Sequence, residues 1–151
     1  MEEWIKEVEP LTLKGQIAVP YTWWVGETGS RFLTSIRDKQ KIIGSKCNAC
    51  GTVYVPPRKN CGRCFVDIDQ DVDIASEGVI EACTIVHYSH PVQPVKPPFA
   101  YALIKLDGAD VGFLHIIKKD LNRIKNGARV KAKFKAERSG HILDIDSFEL
   151  I

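Results

Sequence analysis

CNACGTVYVPPRKNCGRC, residues 47–64, holds four of the chain's five cysteines as two C-x-x-C pairs with ten residues between them. Two such pairs close around one tetrahedral metal, with thiolates about 2.3 Å from zinc. Each pair sits on a tight turn whose amides point at sulfur, and Gly51 and Gly62 supply the backbone freedom such turns need. Between the pairs, TVYVPPR reads as a short strand stopped by Pro56 and Pro57. Disulfides are the competing use of four cysteines, and iron is the competing metal. The compact spacing favours structural zinc on Cys47, Cys50, Cys61 and Cys64. Four thiolates leave no open coordination position, and no His-Glu pair lies nearby, so the metal is a staple and not a catalyst.

Composition sets the frame. The 151 residues are 44% hydrophobic and 26% charged, with a net charge of +2, which is ordinary for a globular protein with a real core. A nucleic-acid-binding domain usually carries a larger cationic excess. No apolar run is long enough to span a bilayer. The acidic start, MEEWIKEVEP, lacks a signal-peptide core, so a cytoplasmic location with reduced thiols is expected.

Upstream of the cysteines, SRFLTSIRDKQKIIG places Phe32, Leu33, Ile36 and Ile43 near helical spacing. Thr28 or Ser30 can cap the start, and Gly44 can end the helix. A single short helix must lie on the ribbon, on a second domain or on a partner. VPYTWWVGETG precedes it, and its adjacent Trp23 and Trp24 point in different directions on any element. Trp23, Trp24 and Phe32 are therefore the candidate partner interface. Around the cysteines, Lys46, Arg58, Lys59 and Arg63 either compensate the −2 charge of zinc with four thiolates or form an anion-binding rim.

After Cys64 the chain is β-rich. DVDIASEGVIEACTIVHY is one strand bent near Gly78 or two strands joined there. A proline-rich loop, SHPVQPVKPP, follows. FAYALIKLDG and VGFLHII come next, joined by a turn at residues 107–110, and KKDLNRIKNG reads as a short helix. ARVKAKFKA alternates, with Ala128, Val130, Ala132, Phe134 and Ala136 inward and four cations outward. ILDIDSFELI closes the chain. Strand, strand, strand, helix, strand, strand is the order of a five-stranded OB-fold barrel with its own core. A turn centred between Ser139 and Gly140 sets Lys135 opposite Asp144 and Lys133 opposite Asp146. That leaves Arg129 and Lys131 as the remaining cations on the face.

Cys83 reads as a buried structural thiol, and His87 and His90 flank Tyr88 beside the proline-rich loop. His115 and His141 fall in no pattern. No Ser-His-Asp set, paired-carboxylate signature or phosphate-binding glycine loop is present. The chain is not expected to be an enzyme.

Taken together, the helical start, CNACGTVYVPPRKNCGRC, EGVIEACTIVHY, PPFAYALIKLDG and the closing barrel resemble a known family. It is the acyl-CoA-associated zinc-ribbon/OB-fold proteins, the thirty-fifth domain-of-unknown-function family. The resemblance spans nearly the whole chain. It implies a mainly β protein with a helical segment over 1–44, a rubredoxin-like zinc ribbon over 45–68 and an OB-fold domain over 69–151. Archaeal members of that family join acetyl-CoA acetyltransferase, a thiolase, to hydroxymethylglutaryl-CoA synthase without doing chemistry. The resemblance therefore implies a non-catalytic accessory subunit that binds thiolase-superfamily enzymes and helps hold or channel acyl-CoA, in the mevalonate pathway for the archaeal case. CoA presents phosphates to cations and pantetheine to an apolar groove, which makes Arg58, Lys59 and Arg63 the candidate CoA contacts. No membrane partner is expected. The alternative is a nucleic-acid-binding zinc-ribbon/OB module, against which stand the modest charge and the sparse aromatics, Tyr101 and Phe113, on the barrel.

Overall fold

Phe32 and Ile36 stand four residues apart, one helical turn, and that pair sets how the N-terminal helix is seated. The computed structural model describes residues 11–15, 17 and 19–151. The reading of MEEWIKEVEP lies outside those residues. Helix α1 runs Gly26–Thr34 and continues as a π-helical turn over Ser35–Lys39. Gln40, at φ 53°, turns the chain out of the helix. The expected stop at Gly44 is thus four residues too late. Gly44 lies instead in strand β1, Ile42–Lys46, where a Cβ would stand 2.7 Å from the Tyr54 carbonyl oxygen. Neither Thr28 nor Ser30 caps the start, and the Ser30 hydroxyl bonds back to the Gly26 carbonyl at 2.7 Å.

β1 is the middle strand of a three-stranded antiparallel sheet, between β2, Val53–Tyr54, and β3, Gln70–Ile74. The sheet reaches beyond residues 45–68 on both sides. The remaining strands, β4 Glu77–Val86, β5 Phe99–Leu106, β6 Gly112–Ile117, β7 Arg129–Phe134 and β8 Ile145–Leu150, close a barrel in the order β4-β5-β6-β8-β7. Pairing is antiparallel except between β6 and β8. This is the expected OB-fold.

Three details depart from expectation. The break between β3 and β4 falls at residues 75–76, and the irregularity of β4 lies between Ile80 and Ala82. Gly78 sits inside β4, where a Cβ would come within 2.4 Å of the Lys105 carbonyl oxygen. Residues 118–127 form turns and not a helix. Asp120 takes φ 53°, and the Arg123 N–H closes on the Asp120 carbonyl at 2.8 Å. So short a stretch has little helical stability alone, and Leu121 and Ile124 already reach the core from the turn. Finally, a bulge between Lys133 and Phe134 shifts the β7–β8 register, so Lys133 faces Ser147 and Phe134 faces Ile145.

Cys47, Tyr54, Cys61 and Ile68 form a small buried cluster of their own at the knuckles, but the ribbon sheet shares its core with the barrel. Phe32 of α1, Ile36 of the π-helical turn, Ile42, Val55 and Ile74 around the ribbon sheet, and Ile80, Leu106, Val130 and Phe148 of the barrel belong to one buried cluster. The expectation of a barrel with a core of its own is corrected accordingly. Hydrogen bonds reinforce the join: the Asp110 N–H donates to the Val53 carbonyl at 3.0 Å, and the Val53 N–H donates to the Asp110 carboxylate at 2.8 Å.

Candidate metal centre and surrounding surfaces

Each C-x-x-C pair folds as the same knuckle. The Gly51 N–H donates to the Cys47 carbonyl at 2.8 Å, and the Phe65 N–H donates to the Cys61 carbonyl at 3.0 Å. The residue closing each knuckle has positive φ, 76° at Gly51 and 58° at Phe65. The first glycine expectation therefore holds. In the second knuckle the strained position is Phe65, and Gly62 instead leaves room for the Arg58 guanidinium, 3.2 Å from where a Cβ would stand.

The knuckles bring one sulfur from each of Cys47, Cys50, Cys61 and Cys64 within 4.8 Å of one another. Thiolates on tetrahedral zinc lie ~3.8 Å apart, given Zn–S bonds of about 2.3 Å. The Cys50 and Cys61 sulfurs are 3.7 Å apart. The donor set and its spacing fit structural zinc. Around the sulfurs, the Cys64 and Arg63 N–H groups donate to Cys61 Sγ at 3.3 and 3.4 Å, as amides in such turns should.

The surrounding donors are what the cysteine pattern did not reveal. The Tyr54 hydroxyl lies 3.3 Å from Cys61 Sγ, and the Thr52 hydroxyl lies 3.2 Å from Cys50 Sγ. Donation from Tyr54, with the two backbone N–H groups, draws the Cys61 thiol down to about 6, and Thr52 lowers Cys50. Cys64 is pushed the other way, to about 12, by Cys50 and then by burial and Cys61. Four sulfurs this close cannot all ionise without a cation among them. A divalent metal held by the four cysteines would supply that cation.

Of the four rim cations, Lys46 is exposed at the end of β1, and the other three are placed differently from one another. The Arg58 guanidinium lies over the Tyr54 ring, 5.1 Å from its centroid, so it backs the Tyr54–Cys61 contact. Arg63 is exposed on the second knuckle. Lys59 lines an open groove of about 850 Å³ between the ribbon and the start of α1, together with Trp24. The same groove holds Glu27, Asp69 and Asp71, and Arg31 there is bonded to Asp71 at 2.8 Å.

The interface candidates also separate. Trp23 and Trp24 are 66% and 78% exposed. Phe32 is 4% exposed, within the shared core, and so is not a contact surface. Its helix turns that face onto β1 and the barrel, which leaves nothing of the ring for a partner. Leu33 is only partly buried, and Ile36 is fully buried.

The cationic face of β7 is neutralised at home. Arg129 makes two hydrogen bonds to Asp107, at 2.8 and 2.7 Å, Lys131 reaches Glu77 at 3.0 Å and Lys133 reaches Glu149 at 3.0 Å. The expected Lys133–Asp146 pair is replaced because the bulge shifts the register, and Asp146 instead takes Lys118 at 2.6 Å. Lys135 does lie beside Asp144, its N–H donating to the Asp144 carbonyl at 2.9 Å. Of the two barrel aromatics, Phe113 is buried inside, and only Tyr101 shows a partly exposed ring.

Cys83 is half-buried, and His87 and His90 are exposed on the proline-rich loop. His115 is 4% exposed, set between Phe113 and Phe148 at 5.6 and 5.5 Å, with its Nδ1 unpartnered. Desolvation lowers its pKa, so it is held neutral. No helix among the described residues is long and apolar enough to cross a membrane.

Comparison with known proteins agrees with this arrangement. Residues 34–69 match the family model of the ChsH2 rubredoxin-like zinc ribbon domain, and residues 71–135 match that of the ChsH2 C-terminal OB-fold domain. A DUF35 domain-containing scaffold protein of Methanocaldococcus jannaschii is 27% identical over 73 residues, 48% of this chain and 52% of that protein. The match thus spans about half the length of that relative. A DUF35-family protein of unknown function from Sulfolobus solfataricus is 32% identical, covers 71% of this chain and 78% of its own, and superposes with a TM-score of 0.59. A chain of the Ltp2-ChsH2(DUF35) aldolase is 21% identical over 78% of this chain and 92% of its own, at a TM-score of 0.58, a likeness of fold.

Proposed function

The chain belongs to the DUF35 family, and from that premise we propose that it is a non-catalytic, zinc-containing accessory subunit of an acyl-CoA-handling enzyme. Its partner is a thiolase-superfamily enzyme, with hydroxymethylglutaryl-CoA synthase as the second enzyme it bridges. The zinc bound by Cys47, Cys50, Cys61 and Cys64 holds the ribbon and does no chemistry. The observation that carries the reading is the uncovered apolar stretch before α1. Leu11, Leu13, Ile17, Val19, Tyr21, Trp23 and Trp24 are all 66% to 91% exposed. An apolar run of that size is the mark of a surface that another protein covers. The word scaffold in the name of the Methanocaldococcus relative, and the pairing of ChsH2 with Ltp2, support the same class of role.

Within the assembly, Arg58, Lys59 and Arg63 meet the phosphates of CoA beside the partner's active site. A pocket shared between enzymes would pass a thioester on without its release and rebinding. The nucleic-acid alternative loses support from the internal pairing of Arg129, Lys131 and Lys133.

Co-purification of the tagged chain from its source tests the proposal. The expected result is a stable complex with a thiolase-type enzyme. Trp23→Ala with Trp24→Ala should weaken that complex at least tenfold, because interface aromatics typically contribute ~2 kcal/mol or more each. A wild-type chain that brings down no such enzyme refutes the role.

A further inference from the structure

Leu11, Leu13, Ile17, Val19, Tyr21 and Trp23 all stand at odd positions, and Gly15 is the one odd position between them without a large side chain. The even positions are Thr12, Lys14, Gln16, Ala18, Pro20 and Thr22, polar or small throughout. Over thirteen residues this is the period of a β-strand with one buried face, and it does not suit the 3.6-residue period of a helix. Yet none of the described residues before α1 belongs to a helix or strand, and the six large side chains are at least 66% exposed. A strand needs a neighbour for its backbone and a surface for its apolar face.

The described residues offer this segment no edge of matching length. The barrel closes in the order β4-β5-β6-β8-β7, and the edges it leaves at residues 82–86 of β4 and residues 112–116 of β6 are short. The ribbon sheet ends in β2, two residues long, and β3, five residues long. A second copy of the chain brings the same short edges. Pro20 shows which side of the segment pairs. Successive N–H groups of a strand point to opposite edges, so proline at an even position interrupts the even edge and leaves the odd one whole. A strand of this kind pairs on one side only, as edge strands with proline do. Lys14 is the segment's single charge, so the surface it meets is apolar.

We propose that residues 11–23 are a docking strand that adds to an exposed sheet edge of the partner enzyme. The odd N–H and C=O groups pair with that edge, and the odd side chains fill an apolar groove beside it. The inference rests on the accessory-subunit reading and specifies how that subunit is held.

Proline parity tests it in the complex of the full chain with its co-purified thiolase-type enzyme. Gly15→Pro removes an odd N–H without removing a side chain, and Gln16→Pro removes an even one. Both favour extended backbone before them. Gly15→Pro should weaken binding at least tenfold, and Gln16→Pro less than twofold, with both melting temperatures unchanged. Amide exchange in the wild-type complex should protect Leu13, Ile17, Val19 and Tyr21 while Thr12, Lys14 and Thr22 exchange freely. Equal effects of the two prolines, or protection without alternation, overturn strand addition while the accessory role stands. A homodimer in which the same odd amides are protected without enzyme overturns the choice of partner. A wild type that binds no thiolase-type enzyme overturns both readings.

Discussion

Replacing Phe32 by alanine separates packing from docking, because the neighbouring tryptophans point outward while Phe32 points in. The ring is 4% exposed and packs in the cluster with Ile36, Ile42 and Val55. Burying a phenylalanine removes roughly 150–250 Å² from water, which at about 25 cal/mol per Å² is ~4–6 kcal/mol before the methyl group that alanine keeps is subtracted. Measured Phe→Ala changes in cores fall at ~3–5 kcal/mol, cavity term included. For a chain of this length each kcal/mol lowers the midpoint by about 3 °C. Phe32→Ala should therefore melt about 10 °C below the wild type in a calorimetric scan of the zinc-loaded protein. Trp23→Ala with Trp24→Ala should leave the midpoint within about 2 °C, since exposed side chains lose little on truncation. An unchanged midpoint for Phe32→Ala, together with weakened assembly, would refute the placement of this side chain and restore it to the interface.

Freshly purified protein should carry about one zinc per chain, and metal analysis finding neither zinc nor iron would remove the metal assignment. Tyr54→Phe should raise the zinc dissociation constant about tenfold in a chelator competition, by removing the hydroxyl at Cys61. Arg58→Ala with Lys59→Ala should weaken CoA binding to the assembled complex in calorimetry, and unchanged affinity returns both residues to a structural role. Asp144 accepts N–H donors from Ser139, Gly140 and His141. Burial raises its pKa, but the three donors together outweigh that and hold it below the usual carboxylate value. Its stabilising effect is complete above the unfolded-state pKa and is lost as pH falls through the lower folded one. Asp144→Ala should cost about 3 kcal/mol in urea unfolding at pH 7, with the gap to wild type closing in acid.

What was legible in advance was local or periodic. Four cysteines at fixed spacing define their own knuckles, and the alternation around Val130 and Ala132 places a strand whatever it pairs with. Non-local facts were not legible. Phe32 and Trp24 look alike as apolar residues near a helix start, and only contact with β1 and the barrel decides which of them is buried. The positive φ of the second knuckle falls on Phe65, a residue type that gives no warning of it. The partner of Lys133 depends on a bulge that no pattern announces. The segment at 118–127 has a helix-like apolar pair, yet tertiary contacts satisfy Leu121 and Ile124 from turns. One signal was present in plain sight: the odd-position alternation from Leu11 to Trp23 is stronger than the adjacent tryptophans that draw attention first.

The shared core also determines what the zinc is for. Val55, one residue past β2, Ile42 of β1 and Ile74 of β3 are buried with Leu106 at the end of β5 and Ala109 in the turn that follows, where Asp110 exchanges hydrogen bonds with Val53. Loss of the metal would free the knuckles and withdraw that side of the barrel's cover, so Cys61→Ser should lower the stability of the barrel in the same transition as the ribbon. The docking segment leaves the fold at Val25 and Gly26, on the wall of the groove that Lys59 and Ile68 form from the ribbon side. A strand that must find a partner's edge loses less entropy when its base is fixed than when both ends wander. On the proposed docking, the metal would therefore act on assembly at a distance, by holding the ribbon against which α1 packs and so fixing where the strand departs.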